Sequence, residues 1–64
     1  MARSSKFEVY VDNSVRYRWR LRAANGETVA ASEPYATRAA ALKAVERVRR
    51  AAQGADVLDL TARP

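Results

Sequence analysis

Apolar and polar positions alternate from Lys6 to Val11. Phe7, Val9 and Val11 fall on one side, and Lys6, Glu8 and Tyr10 on the other. A period of two predicts a half-buried strand. Asp12-Asn13-Ser14 then supplies turn chemistry through short side chains that hydrogen-bond nearby backbone. The run RYRWRLR carries the clearest pattern in the chain. Tyr17, Trp19 and Leu21 point one way, and Arg16, Arg18, Arg20 and Arg22 the other. Slipping this strand by one residue would bury four guanidinium groups, so its facing is strongly specified. Asn25-Gly26 predicts a tight hairpin turn in which both residues take positive φ. A third strand is expected over Thr28 to Ser32, with Val29 and Ala31 facing inwards.

Pro34 lacks a donor and ends the strand pattern. Thr37 is placed to cap a helix. From Arg38 to Ala52 the residues are good helix formers with no Gly or Pro. Leu42, Val45, Val48 and Ala52 recur at helical steps beside Ala41 and Ala44, which makes a narrow apolar stripe. Arg47, Arg49 and Arg50 complement the dipole at the helix end, and Glu46 is spaced to pair with Arg50. Gly54 fits the left-handed position after the helix. Val57 to Thr61 alternates again and predicts one more short strand.

The chain therefore reads as α+β. It is a β-β-β-α-β unit, an antiparallel sheet with one helix on one face, spanning residues 6–61 between a short lead (1–5) and a tail (62–64). The expected core is Phe7, Val9, Tyr17, Trp19, Leu21, Leu42, Val45 and Val48. Trp19 could instead be a stacking residue for a ligand, but it lies in phase with Tyr17 and Leu21. Tyr35 reads as a lid on the sheet edge or as part of a groove.

Length changes this picture. A domain of 64 residues is marginal alone and usually needs a staple. With no Cys and no His, disulfides and the usual zinc ligand sets are excluded. The last strand also needs an edge to pair with, and an open edge is a liability. A second copy answers both needs, so a homodimer is expected. The strand that needs a partner carries Val57, Leu58 and Leu60.

Charge adds a second theme. The formal net charge is +5, and ten of the twelve basic residues are Arg. Such an excess suits an anionic partner, although an Arg- and Ala-rich coding bias would give the same totals. The one sharp feature is the row Arg16, Arg18, Arg20 and Arg22. Neighbours in it start about 6.6 Å apart, and Arg can grip phosphate with two parallel hydrogen bonds. Tyr10 shares this face and could stack on a base. The competing reading is a solvated sheet face on which Lys6, Glu8 and Glu27 pair across the strands.

Catalysis is not expected. The commonest general base and the strongest nucleophile are both absent. The carboxylates are scattered, and two isolated glycines make no phosphate-cradling loop. No cofactor is implied. No stretch approaches the roughly 20 apolar residues of a membrane span, and the first residues lack a signal-peptide core, so a cytoplasmic protein is expected.

The run KFEVYVDNSVRYRWRLRAANGETVAASEPY, followed by ATRAAALKAVERVRR and DVLDLT, resembles the YegP-like family. These are small bacterial and archaeal domains of unknown function. The most specific part is Tyr17-Arg18-Trp19-Arg20-Leu21 through Ala24-Asn25-Gly26-Glu27, then Ala30-Ala31-Ser32-Glu33 and Tyr35. Ala41-Leu42, Val45 and Val48 also fit. Members usually carry Gly where this chain has Pro34. The resemblance implies two β-β-β-α-β units in one continuous sheet, hence a homodimer with exchanged C-terminal strands. It brings no established activity, cofactor or site residue. Three functions stay open: a protein-interaction module, a nucleic-acid or polyanion binder using the arginine row, and, last, an enzyme. In layout alone, a three-stranded sheet backed by one helix also resembles plant AP2-type DNA-binding domains.

Overall fold

The computed structural model describes residues 4–61. The expected tail 62–64 and the first three residues of the expected lead lie outside these. Three strands and a helix follow in order: β1 (Lys6–Val11), β2 (Tyr17–Arg22), β3 (Thr28–Ala31) and α1 (Arg38–Ala52). The strands form an antiparallel sheet in the order β1-β2-β3.

The alternating positions pair as their periods require. Phe7 stands opposite Leu21 and Val9 opposite Trp19, while Glu8 meets Arg20 and Tyr10 meets Arg18 on the other face. Both hairpins use the same loop. Asp12 N–H donates to Arg16 O and Val15 N–H to Asp12 O, while Ala23 N–H donates to Glu27 O and Gly26 N–H to Ala23 O. Each loop thus closes a β-turn and then spends one residue in the left-handed region, Val15 (φ 57°) in the first and Gly26 (φ 91°) in the second. The expectation that Asn25 also takes positive φ is corrected. Only Gly26 does so, because the loop has three residues rather than two.

Val15 is β-branched, exposed, and in a conformation that costs an L-residue about 1–2 kcal/mol. The second loop solves the same problem with glycine. Val15→Gly should therefore stabilise the domain by about 1 kcal/mol after glycine's own entropic cost. Thermal melts should register this as a midpoint rise of roughly 4–8 °C. An unchanged or lower midpoint would show that the loop relaxes without the substitution.

β3 departs from the expected phase. Leu21 pairs with Ala30 and Arg20 with Ala31, but Arg22 pairs with Thr28, so a bulge at Val29 absorbs one residue. Ala30 therefore lies opposite Leu21 on the apolar face, while Ala31 lies opposite Arg20; Val29 is 59% exposed. The inward placement of Val29 and Ala31 is thus corrected, since a bulge resets the alternation beyond it. Ser32 ends β3 by a side-chain substitution in the ladder: Trp19 N–H donates to Ser32 Oγ at 2.9 Å, and the hydroxyl donates to Glu33 O. The chain then steps out through Glu33-Pro34 and returns at Tyr35, which exchanges both backbone hydrogen bonds with Tyr17. Pro34 sits where no ladder donor is required and the backbone is not left-handed.

α1 begins as expected. Thr37 is in extended conformation and its hydroxyl accepts from Ala40 N–H at 3.1 Å. The helix ends with Arg49 and Arg50 in its last turn, and Gly54 follows at φ 67°. Glu46 pairs with Arg49 at 2.7 Å, not with Arg50. The helix packs on β2 and β1 and does not reach β3.

Trp19, Ala41 and Val45 are the buried apolar residues among those described. Phe7 meets the Trp19 ring edge-on, with centroids 5.5 Å apart. Phe7, Val9, Tyr17, Leu21 and Val48 surround this centre half-buried. Leu42 is corrected from core to flank: it is 40% exposed and sits beside Val9, Val11 and Tyr17. On the helix it is Ala41 and Val45 that are buried, Ala41 completely. Trp19 Nε1 is buried without an acceptor among the described residues.

The last predicted strand does not form within the chain. Residues 55–59 are irregular and 60–61 turn, with Asp59 accepting from the N–H and hydroxyl of Thr61. A strand exists only with a partner strand, and among the described residues no strand pairs with this segment.

Candidate functional site

Two surfaces carry chemistry. The first is the polar face of the sheet, where alternation and register bring the arginine row together with Lys6, Glu8 and Tyr10. β1 and the turn after it contribute Lys6, Glu8, Tyr10 and Asp12; β2 contributes Arg22, Arg20 and Arg18 opposite them, with Arg16 just before it.

The arginines are not simply displayed to solvent. Arg18 Nε donates to Asp12 Oδ2 at 2.6 Å, and Arg20 Nε and Arg22 Nε both donate to Glu8 Oε1, at 2.7 and 3.1 Å. The Arg20 guanidinium also lies 4.5 Å over the Tyr10 ring. Sequence spacing had suggested Glu8 as a cross-strand partner and did so correctly. It had not suggested Asp12, whose signal was turn chemistry. Asp12 does both: Oδ1 accepts from the N–H groups of Ser14 and Arg16 and fixes the hairpin, while Oδ2 holds Arg18. Glu27 turns away, accepting from Asn25 instead. Tyr10 has one face of its ring covered by Arg20, which leaves it a poorer base-stacking surface than its position alone implied.

The contacts are selective at the atomic level. Carboxylates take the inner Nε of each guanidinium. Among the described residues, the terminal amino groups of Arg18 and Arg20 make no hydrogen bond, and one of Arg22's donates to Gly26 O at 2.7 Å. Charge does not cancel: Lys6, Arg16, Arg18, Arg20 and Arg22 stand against Glu8 and Asp12 alone.

Hydrogen bonds from Arg20 and then Arg22 hold the Glu8 carboxyl below its usual range; those from Arg18 and then Arg16 N–H do the same for Asp12. Groups whose folded pKa is depressed contribute stability above their unfolded pKa and lose it as pH falls through the folded one. Melting temperature should therefore hold through neutral pH and fall from about pH 5 downward. In Glu8→Gln/Asp12→Asn that acid slope should flatten. An identical slope in the double variant would place the acid sensitivity elsewhere.

The second surface is an apolar groove beside α1. Tyr35, Ala40, Ala44, Val48 and Ala51 line it together with Glu33, Lys43 and Arg47. It opens because the helix stops short of β3. Tyr35 therefore serves both expected roles, bridging to Tyr17 and lining a groove. The C-terminal segment offers the matching chemistry: Val57, Leu58 and Leu60 are 94%, 75% and 86% exposed, with Asp56 just before them and Asp59 among them. The groove was not legible from the helix stripe, because the stripe alone does not say how far a helix is displaced across its sheet.

Among the described residues no helix is long and apolar enough to cross a membrane.

A profile described as a domain of unknown function, DUF1508, matches residues 12–59. The chain is 48% identical over 56 residues to a UPF0339 protein of Agrobacterium fabrum, covering 88% of this chain and 90% of that one. A UPF0339 protein of Treponema denticola is 42% identical over 57 residues, covering 89% and 98%. The NMR solution structure of a protein from Haloferax volcanii superimposes with a TM-score of 0.75 at 41% identity, covering 91% of this chain and 98% of that one.

Proposed function

We propose, from the premise that this chain belongs to the DUF1508 family of domains of unknown function, that it is a non-catalytic interaction module built as a homodimer. The observation that carries this reading is the pairing of an unfilled apolar groove with an unplaced apolar segment. Leu58 and Leu60 of one copy enter the groove of the other, and the segment around them becomes the strand that the isolated chain cannot form. Asp56 and Asp59 bring negative charge to a groove containing Lys43 and Arg47.

The exchange agrees with what the YegP-like resemblance implies.

Sedimentation or light scattering at micromolar concentration tests the assembly. The expected mass is twice 7.1 kDa. A single-copy mass together with a cooperative melt would overturn it.

A further inference from the structure

We infer that the guanidinium row of β2 is a binding site for the phosphodiester backbone of a nucleic acid. This goes beyond the dimer and does not depend on it, since every residue concerned lies on the sheet face opposite the helix.

The argument rests on which nitrogens are occupied. Long cationic side chains on an open sheet are ordinarily mobile, and ordering them on a ligand costs entropy. Here Glu8 and Asp12 clamp Arg18, Arg20 and Arg22 through Nε, and the Tyr10 ring holds Arg20 from below. The side chains of these three arginines are only about a third exposed, at 34–35%. The clamps leave the outer forks of Arg18 and Arg20 without hydrogen-bond partners among the described residues. An end-on guanidinium fork matches two oxygens of one phosphate. The β pleat repeats these forks about every 6.6 Å along one straight line, a repeat close to that of successive phosphates on a strand. Two carboxylates against five cations leave the face positive, so an anion is still attracted after the internal pairs have formed.

The recognition is of backbone and not of sequence. Among the described residues Tyr10 is the one aromatic ring on this face, and Arg20 covers it, so the face offers the phosphates a row of forks and offers the bases a poor stacking platform.

The test uses the full chain and short fluorescein-labelled DNA and RNA, each single-stranded and duplex, with anisotropy read across salt. About three phosphates neutralised gives a log–log salt slope of roughly −2 to −3, or a loss of about 16- to 64-fold between 50 and 200 mM salt. Arg18→Gln/Arg20→Gln should shallow that slope by about 2. Arg18→Lys/Arg20→Lys keeps the charge and removes the forks, and should still weaken binding. Circular dichroism verifies that both variants fold. Binding in either the single-stranded or the duplex arm supports the site and identifies which backbone geometry it prefers. Three results would overturn it: no binding at 50 mM salt, equal affinity for polyglutamate, or unchanged affinity in the lysine variant.

Discussion

Trp19→Ala should leave no cooperatively folded domain at 25 °C. Trp19 lies on the central strand, opposite Val9, edge-on to Phe7 and under the helix layer of Ala41 and Val45. Removing a core aromatic costs about 3–5 kcal/mol. A chain of 64 residues has a total stability of only about 3–10 kcal/mol. No other large side chain is as deeply buried among the described residues, so nothing else can carry the sheet–helix contact. Far-ultraviolet circular dichroism is the appropriate readout, since the variant loses the chain's one tryptophan. Trp19→Phe separates volume from polarity. It keeps a ring against Phe7 and removes an indole N–H that has no acceptor among the described residues. Its cost should therefore be much smaller than that of the alanine variant, because deleting an unsatisfied donor offsets part of the lost packing. A Trp19→Ala protein with a cooperative melt near that of the parent would show that the core lies elsewhere.

Under the proposed strand exchange, replacing Leu58 and Leu60 with Asp should yield a chain that does not stay folded. Both leucines are largely exposed in the single copy, so within one chain their substitution would cost almost nothing. In the exchanged assembly each leucine contributes about 1.5–3 kcal/mol of burial, and each is present twice. The two readings thus predict opposite results, an intact fold or its loss. Truncation before Val57 should behave in the same way. Sedimentation gives the mass and circular dichroism the fold. A truncated chain that is monomeric and melts cooperatively would remove the interaction-module reading at its base, while leaving the arginine site to stand or fall on its own titration.

Much of the fold was legible because its periods are strong. The four-arginine alternation fixed the facing of β2, and through cross-strand register it fixed β1 as well. Thr37 and Gly54 bracketed the helix with local chemistry that needs no tertiary context. What escaped depends on geometry that residue types do not encode. The bulge at Val29 shifts phase by one residue in a strand too short, and too rich in alanine, to announce it. Val15 occupies a left-handed position that composition argues against. Leu42 looked like core because a helical stripe gives a direction but not a rotation. On the polar face, the sequence put the charges on one side, yet which nitrogen meets which oxygen follows from side-chain length and strand twist. That atomic choice separates a neutralised surface from a row of held, outward forks.

The two matching hairpin loops have a kinetic consequence. Each joins adjacent strands through three residues, so the contacts that build the sheet are close in sequence. Loops so short close in well under a microsecond and hairpins zip in about 1–10 μs, which places this topology among rapid folders. Helix docking adds only one further short connection, from Ser32 to Thr37. A refolding experiment should therefore split into a fast phase indifferent to protein concentration and a slower one proportional to it. Under the proposed exchange the second phase is the search of one chain's C-terminal segment for another chain's groove, and its rate would measure that encounter directly.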